Sequence, residues 1–96
     1  MYVLIWEFVA RPGREGELER AYGRGGRWVE LFRKGEGYHG TELWRGDGRW
    51  LTVDRWQSEE HYRRFREERA AEYEALDREL ADLAERETPL GAFEVV

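Results

Sequence analysis

The first ten residues, MYVLIWEFVA, constrain the fold more than any other segment of the chain. They are rich in aromatic and β-branched side chains and too short for a typical helix, which predicts a β-strand over residues 2–10. Apolar residues occupy both parities of this strand, so both of its faces are expected to be covered. The 96-residue chain has helical patterns enough to cover one face only. We therefore expect a second copy to cover the other face, in a homodimer formed through the sheet faces.

A β-hairpin is predicted in the middle of the chain, with strands at residues 38–45 and 49–56 around Asp47-Gly48. Asp-Gly between two aromatic-rich runs is a strong hairpin signal. If these two residues form the loop, counting outward places His39 opposite Trp56 on one face of the sheet. A three-residue loop would turn the first strand over relative to the second, so this register is conditional.

Helical patterns follow the first strand and the hairpin. The first pattern is interrupted at residues 23–26, which contain three glycines, and then resumes. Ser58 is a good N-cap for a long amphipathic region with apolar residues at spacings of three and four. This region is expected to break once near residues 67–71 and to end near Glu87, where Thr88-Pro89 stops it.

Residues 91–96 predict a closing strand. The element order is then β-α-β-β-α-β, the split form of the ferredoxin-like unit with an antiparallel sheet. We expect an α+β fold in which residues 1–96 form a single domain.

The composition excludes several kinds of site. A net charge of −5 leaves no electrostatic footprint for nucleic acid. Without cysteine there are no disulfides, no thiolate chemistry and no cysteine-based metal centre. His39 and His61 are the only histidines, which leaves little for a transition metal. We expect no metal and no cofactor.

The composition also suggests where the protein works. The apolar first ten residues are too short to span a bilayer and lack the pattern of a secretory signal, so we expect a cytoplasmic protein without membrane contact. Arginine supplies 15 of the 16 basic residues and asparagine is absent. Such a bias suits a thermophile, although a GC-rich genome gives a similar one.

Several segments together resemble the antibiotic biosynthesis monooxygenase family of dimeric α/β barrels. They are the opening strand YVLIWEF, the Arg-Pro-Gly turn at residues 11–13, the GYHGT at residues 37–41, the run LTVDRWQSEE at residues 51–60 and the closing LGAF at residues 90–93. The resemblance implies two sheets packed face to face and a pocket between sheet and helices in each subunit. It also implies enzymes that oxidise phenols, anthrones and quinols with O₂ and without a cofactor.

A related branch of this family degrades haem. In that branch, the resemblance implies, an asparagine occupies the position of Trp6. A histidine on a helix well after the position of Trp56 is the haem ligand. No histidine lies between Phe65 and Leu80. Both differences speak against haem chemistry.

The resemblance places Trp56 and Trp6 in the pocket, whereas residue type alone favours an ordinary core position for Trp56. Asp54 shares a strand face with Trp56. In an apolar pocket its pKa would rise and it could serve as a base for a phenol, while the structural alternative is an ion pair with an arginine. His39 could accept a proton or orient a hydroxyl group, or be a satisfied histidine at the rim of the core. The candidate catalytic residues are therefore Asp54, His39 and Trp56.

An aromatic stripe on the long helical region is the remaining candidate. Such a stripe is usually core, but one that faces the sheet would also line a pocket. The candidate substrate-binding residues are Trp6, Phe65, Tyr73, Tyr62 and Trp28. The leading hypothesis is a cofactor-independent monooxygenase-like protein for a small aromatic substrate. The alternative is a non-catalytic dimeric module that binds a small ligand or only assembles.

Overall fold

The computed structural model describes all residues 1–96 and contains one antiparallel sheet. Its strands are β1 (Tyr2–Ala10), β2 (Tyr38–Arg45), β3 (Trp50–Trp56) and β4 (Ala84–Glu94). They lie in the order β2-β3-β1-β4. The predicted ferredoxin-like α+β fold is confirmed, because the four strands are antiparallel and the apolar strands β1 and β3 occupy the centre of the sheet.

The helices pack on one face of the sheet. They are α1 (Glu15–Tyr22), α2 (Arg27–Phe32), α3 (Glu59–Glu68) and α4 (Ala70–Leu80), and a 3₁₀ turn follows at Ala81–Leu83. The two predicted interruptions occur, at residues 23–26 and at Arg69. Ser58 caps α3, since its side chain accepts a hydrogen bond from the backbone N–H of His61 at 3.2 Å. None of the helices combines the length and apolar character needed to cross a membrane.

The hairpin has the register that a two-residue loop predicts. Arg45 lies opposite Trp50 and Thr41 lies opposite Asp54, and the N–H of Gly46 donates to the carbonyl of Arg49 at 2.7 Å. The inner face of β3 therefore carries its even-numbered residues, which are buried.

The closing strand is longer than predicted. It begins at Ala84 rather than Gly91, and the helical region ends at Leu80 rather than near Glu87. Pro89 does not stop a helix. It lies within β4, at the edge of the sheet, beside an irregularity in the pairing with β1. An edge strand tolerates proline because the missing N–H would have faced away from the ladder.

An aromatic cluster fills one part of the space between sheet and helices. Trp56 is completely buried and Phe65 is 2% exposed, with their ring centroids 5.0 Å apart. Phe32 from α2 and Tyr62 from α3 meet the Trp56 ring edge-on at 6.0 and 5.6 Å. We call these four residues the Trp56 cluster.

The outer face of the sheet carries apolar side chains that no helix of the chain covers. Val3 and Val53 lie on this face and are buried among their neighbours. Trp44, opposite Leu51, and Phe93, opposite Val3, are about half exposed there. The first strand is thus apolar on both faces, and the chain itself packs helices against only one of them.

Close packing around the Trp56 cluster predicts a stability difference between two glycines. A Cβ at Gly35 would lie 2.8 Å from both Phe65 Cδ1 and Trp56 Cη2, so Gly35→Ala should lower the free energy of unfolding by about 1–3 kcal/mol. Gly16→Ala in α1 is the control. Its Cβ would approach nothing closer than Arg20 Nη1 at 3.5 Å, and alanine favours the helix by up to about 1 kcal/mol. Urea unfolding measures both, and equal stabilities would contradict the packing described here.

Candidate functional site

Asp54 is the most unusual polar residue of the inner sheet face. Strand alternation turns it toward the helices, where it is only 7% exposed. Its Oδ1 accepts a hydrogen bond from Thr41 Oγ1 at 2.6 Å. The Tyr38 hydroxyl lies 2.6 Å from the same threonine oxygen. Because Thr41 has one proton and gives it to Asp54, Tyr38 donates to Thr41. The three residues form a short chain of hydrogen bonds that ends on the carboxylate.

Burial raises the pKa of Asp54 to about 6, and the Thr41 hydrogen bond opposes this only in part. No arginine or lysine forms an ion pair with Asp54. Thr41 is its one side-chain donor, so Oδ2 has no partner from the protein. The structural alternative considered for this residue, an ion pair with an arginine, is absent.

A cavity of about 240 Å³ lies between the sheet and the helices, next to Asp54. Its walls are aromatic, and its floor on the sheet carries two threonines besides Asp54. The aromatic residues are Trp6, Phe8, Tyr22, Trp28, Phe32 and Tyr73, and the threonines are Thr41 and Thr52. An apolar cavity with a few polar groups is the usual form of a small-molecule site.

Three exposed charged residues, Arg66, Asp77 and Glu87, complete the lining and are called the mouth of the cavity. The Arg66 guanidinium lies 3.8 Å from the centroid of the Tyr73 ring. The Tyr22 hydroxyl donates to Glu87 Oε1 at 3.3 Å. Although the Glu87 side chain is exposed as a whole, partial burial of its carboxyl group and the nearby Asp77 raise its pKa.

The structure brings four of the candidate residues to the cavity. Asp54, Trp6, Tyr73 and Trp28 line it. The other aromatic candidates, Trp56, Phe65 and Tyr62, lie beside it in the Trp56 cluster, which touches the cavity through Phe32. Trp56 is completely buried, and its Nε1 has no hydrogen-bond partner.

The predicted position of His39 is wrong. A bulge in β2 pairs Tyr38 with Trp56 and Gly40 with Arg55, so that His39 has no partner on β3. The extra residue leaves the ladder unpaired at this point, and His39 is exposed. The inner face at this position is occupied by Tyr38, whose ring lies 5.2 Å from that of Trp56.

Sequence reasoning missed eight of the twelve residues that line the cavity. Phe8, Tyr22 and Phe32 come from three different elements, and Glu87 comes from a segment predicted to be helical. The sequence does indicate Phe8, because strand alternation places it on the same face as Trp6. No sequence pattern indicates the other three residues, since their position at the cavity depends on how α1, α2 and β4 pack together.

The sequence profile of the family described as antibiotic biosynthesis monooxygenase matches residues 1–75. The chain belongs to the antibiotic biosynthesis monooxygenase family. Membership of this family supports a monooxygenase-like or small-molecule-binding function. A search of curated protein sequences found no significant match to the chain.

Several solved structures share the fold of this chain. A variant of SnoaB, a cofactor-independent oxygenase from Streptomyces nogalater, superposes with a TM-score of 0.77 at 16% identity, covering 98% of this chain and 91% of that one. A variant of MhuD with two manganese protoporphyrin IX molecules per active site gives a TM-score of 0.74 at 24% identity, covering 100% and 95%. Rv0793 from Mycobacterium tuberculosis gives 0.70 at 17% identity, covering 99% and 97%. At these identities the likeness concerns the fold alone.

The raised pKa of Asp54 predicts how stability depends on pH. Below its ordinary pKa of 3.8 the carboxyl group is protonated in both states, whereas above pH 6 the folded protein must hold a buried carboxylate. The free energy of unfolding therefore falls by up to roughly 3 kcal/mol as the pH rises from 3.8 to about 6, and it falls no further above pH 6 on account of this group. Asp54→Asn removes the charge, so the variant should gain stability relative to the parent as pH rises from about 4 to about 7.

Thermal melts from pH 3.5 to 8 measure this effect. Asp47→Asn is the matched control, because Asp47 is exposed in the hairpin loop and Asn-Gly suits that loop equally well. A stability difference between Asp54→Asn and the parent that does not change with pH would contradict the assignment.

Proposed function

We propose that the chain is a cofactor-independent monooxygenase-like protein that acts on a small aromatic substrate, such as a phenol, an anthrone or a quinol. The observation that carries this proposal is Asp54, an unpaired carboxyl group at the floor of an aromatic cavity, whose pKa of about 6 suits proton exchange near neutral pH. Family membership adds to it.

Asp54 is the general base of this mechanism. A substrate hydroxyl group, or the acidic C–H of an anthrone, gives its proton to Oδ2, the oxygen that no protein side chain engages. Thr41 holds the other oxygen and fixes the plane of the carboxyl group. The flat walls provided by Trp6, Trp28 and Tyr73 orient an aromatic ring and exclude water.

The substrate anion is the source of electrons for O₂. Electrons pass from the deprotonated ring to oxygen, one oxygen atom stays in the product and the other leaves as water. For an anthrone the balance is one anthrone and one O₂ giving one quinone and one water. The protein supplies desolvation, orientation and a base, in keeping with the expectation of no cofactor.

Haem does not fit the residues at this cavity. The lining contains no histidine, cysteine or methionine. Burial raises the pKa of Tyr22 and of Tyr73, which disfavours the tyrosinate form that binds iron. Among all residues, no cluster of histidine and carboxylate side chains could hold a metal ion. We therefore do not propose that this chain binds a porphyrin such as the one in the MhuD structure.

A second candidate function is a non-catalytic module that binds a small aromatic ligand. The complete burial of Trp56 favours it, because this residue, a candidate for the reaction, has no surface toward the cavity. Oxygen consumption separates the two functions.

The proposed reaction predicts oxygen uptake with anthrones or hydroquinones in the absence of flavin, metal or nucleotide. The rate should rise with pH through about 6, as Asp54 loses its proton, and stay level above that. Asp54→Asn should lower kcat/KM by on the order of 100-fold or more and remove the inflection. An oxygen electrode with chelator present measures both.

His39→Ala is the control for this experiment. The exposed His39 lies outside the cavity, so its removal should leave the rate unchanged. A folded protein that binds these substrates but takes up no oxygen above background would favour the binding module. Full activity in Asp54→Asn would exclude Asp54 as the base.

We further propose that the outer sheet face pairs two copies of the chain into the dimeric barrel of this family. Covering the apolar side chains of this face should bury more than roughly 1,000 Å² in total. Trp44 and Phe93 would bury much additional apolar surface in the dimer, since each is about half exposed in the single chain.

Light scattering at micromolar concentration should report a dimer for the parent chain. Phe93→Glu should shift it to a monomer, because the dimer would bury an unpaired charge. Ala71→Glu adds the same charge at an exposed position of α4, on the helical side, and should leave the dimer intact. A monomeric parent chain, or a dimer that resists Phe93→Glu, would contradict pairing through this face.

A further inference from the structure

The mouth of the cavity has an excess of negative charge that the proposed reaction does not use. Three carboxyl groups line the cavity, from Asp54, Asp77 and Glu87, against one cation, Arg66. Neither Asp77 nor Glu87 forms a salt bridge, whereas acids elsewhere do, such as Glu19 with Arg45. The lack of basic partners is specific to this cavity, because the chain as a whole has 15 arginines.

The carboxyl groups lie at two ends of the cavity. Asp54 is opposite Leu4 of β1, and Glu87 is opposite Phe8 of the same strand. Four residues of strand separate these positions by about 13 Å along the backbone. Asp54 is nine-tenths buried and its Oδ2 faces the cavity without a protein donor, whereas Glu87 is exposed at the opening.

The wall between the two ends is suited to a cation. Aromatic ring faces attract positive charge, and the Arg66 guanidinium already lies 3.8 Å from the centroid of Tyr73. The Tyr22 ring packs 6.2 Å from that of Trp28, and its hydroxyl reaches Glu87. A positively charged group that enters from solvent meets carboxylates and ring faces together.

We propose that the cavity binds an arylalkylamine, with its aromatic hydroxyl group toward Asp54 and its protonated amine toward Asp77 and Glu87. This inference rests on the proposed function for the placement of the hydroxyl group. It adds the substrate class, an aromatic ring joined to an ammonium group by a short alkyl chain. Such a ligand supplies the charge that the mouth lacks and a donor for Oδ2 of Asp54.

Isothermal titration calorimetry with three matched phenols tests the charge preference at pH 7.5. The probes are tyramine, the neutral 4-propylphenol and the anionic 3-(4-hydroxyphenyl)propionate. Tyramine should bind about tenfold more tightly than 4-propylphenol, a modest factor because the mouth is exposed to solvent. The anion should bind most weakly.

Two variants locate the preference. Glu87→Gln keeps an acceptor for the Tyr22 hydroxyl but loses the charge, so the advantage of tyramine over 4-propylphenol should fall to about threefold or less. Glu85→Gln removes one charge from an exposed position of the same strand, outside the cavity, and should leave the advantage intact. Circular dichroism confirms that both variants are folded.

The outcomes separate this inference from the proposed function. If 4-propylphenol or the anion binds as tightly as tyramine, or if no probe binds, the inference is wrong. Asp54-dependent oxygen uptake with neutral phenols would then still support the monooxygenase. Conversely, a Glu87-dependent preference for tyramine without oxygen uptake would support the arylalkylamine site and contradict the oxidation.

Discussion

The packing of Trp56 against Phe32 and Phe65 is the contact on which the rest of the structure depends. These rings fill one part of the space between sheet and helices, and the cavity occupies the part that they leave. Phe32 belongs to both, so the cluster is also a wall of the cavity. The buried Nε1 of Trp56 has no partner, which costs about 1–3 kcal/mol. Burial of the indole ring against four other aromatic rings offsets that cost.

Local patterns predicted much of the fold because the physics behind them is local. The Asp-Gly loop set the register that places Asp54 opposite Thr41, and strand alternation then turned Asp54 toward the helices. Ser58 caps α3 because a hydroxyl at that position satisfies a free N–H of the first turn. The apolar residues on both faces of β1 predict that both faces are covered, and the helices of the chain cover one of them.

Most errors arose where tertiary context overrides a local preference. The bulge at His39 is the exception, because a glycine inside a strand favours a bulge and Gly40, with a φ of 133°, directly follows His39. The local sequence around Pro89 predicts a helix stop, yet an edge strand accepts proline as readily. Four lining residues come from α1, α2 and β4, and only the folded chain defines how these elements meet. Sequence reasoning therefore found the floor of the site and missed its mouth.

The lack of an arginine partner for Asp54 follows from the geometry of the inner face. An arginine side chain lies along apolar surface and keeps its charged head near water. Arg66 reaches only the mouth of the cavity, where its guanidinium stacks on Tyr73, and other arginines pair with acids on the surface, such as Glu42 and Glu79. Asp54 is left with one hydroxyl donor. A guanidinium beside it would stabilise the carboxylate and lower its pKa. The carboxyl group would then be a weak base, so the same missing ion pair that costs stability keeps Asp54 able to accept a proton near neutral pH.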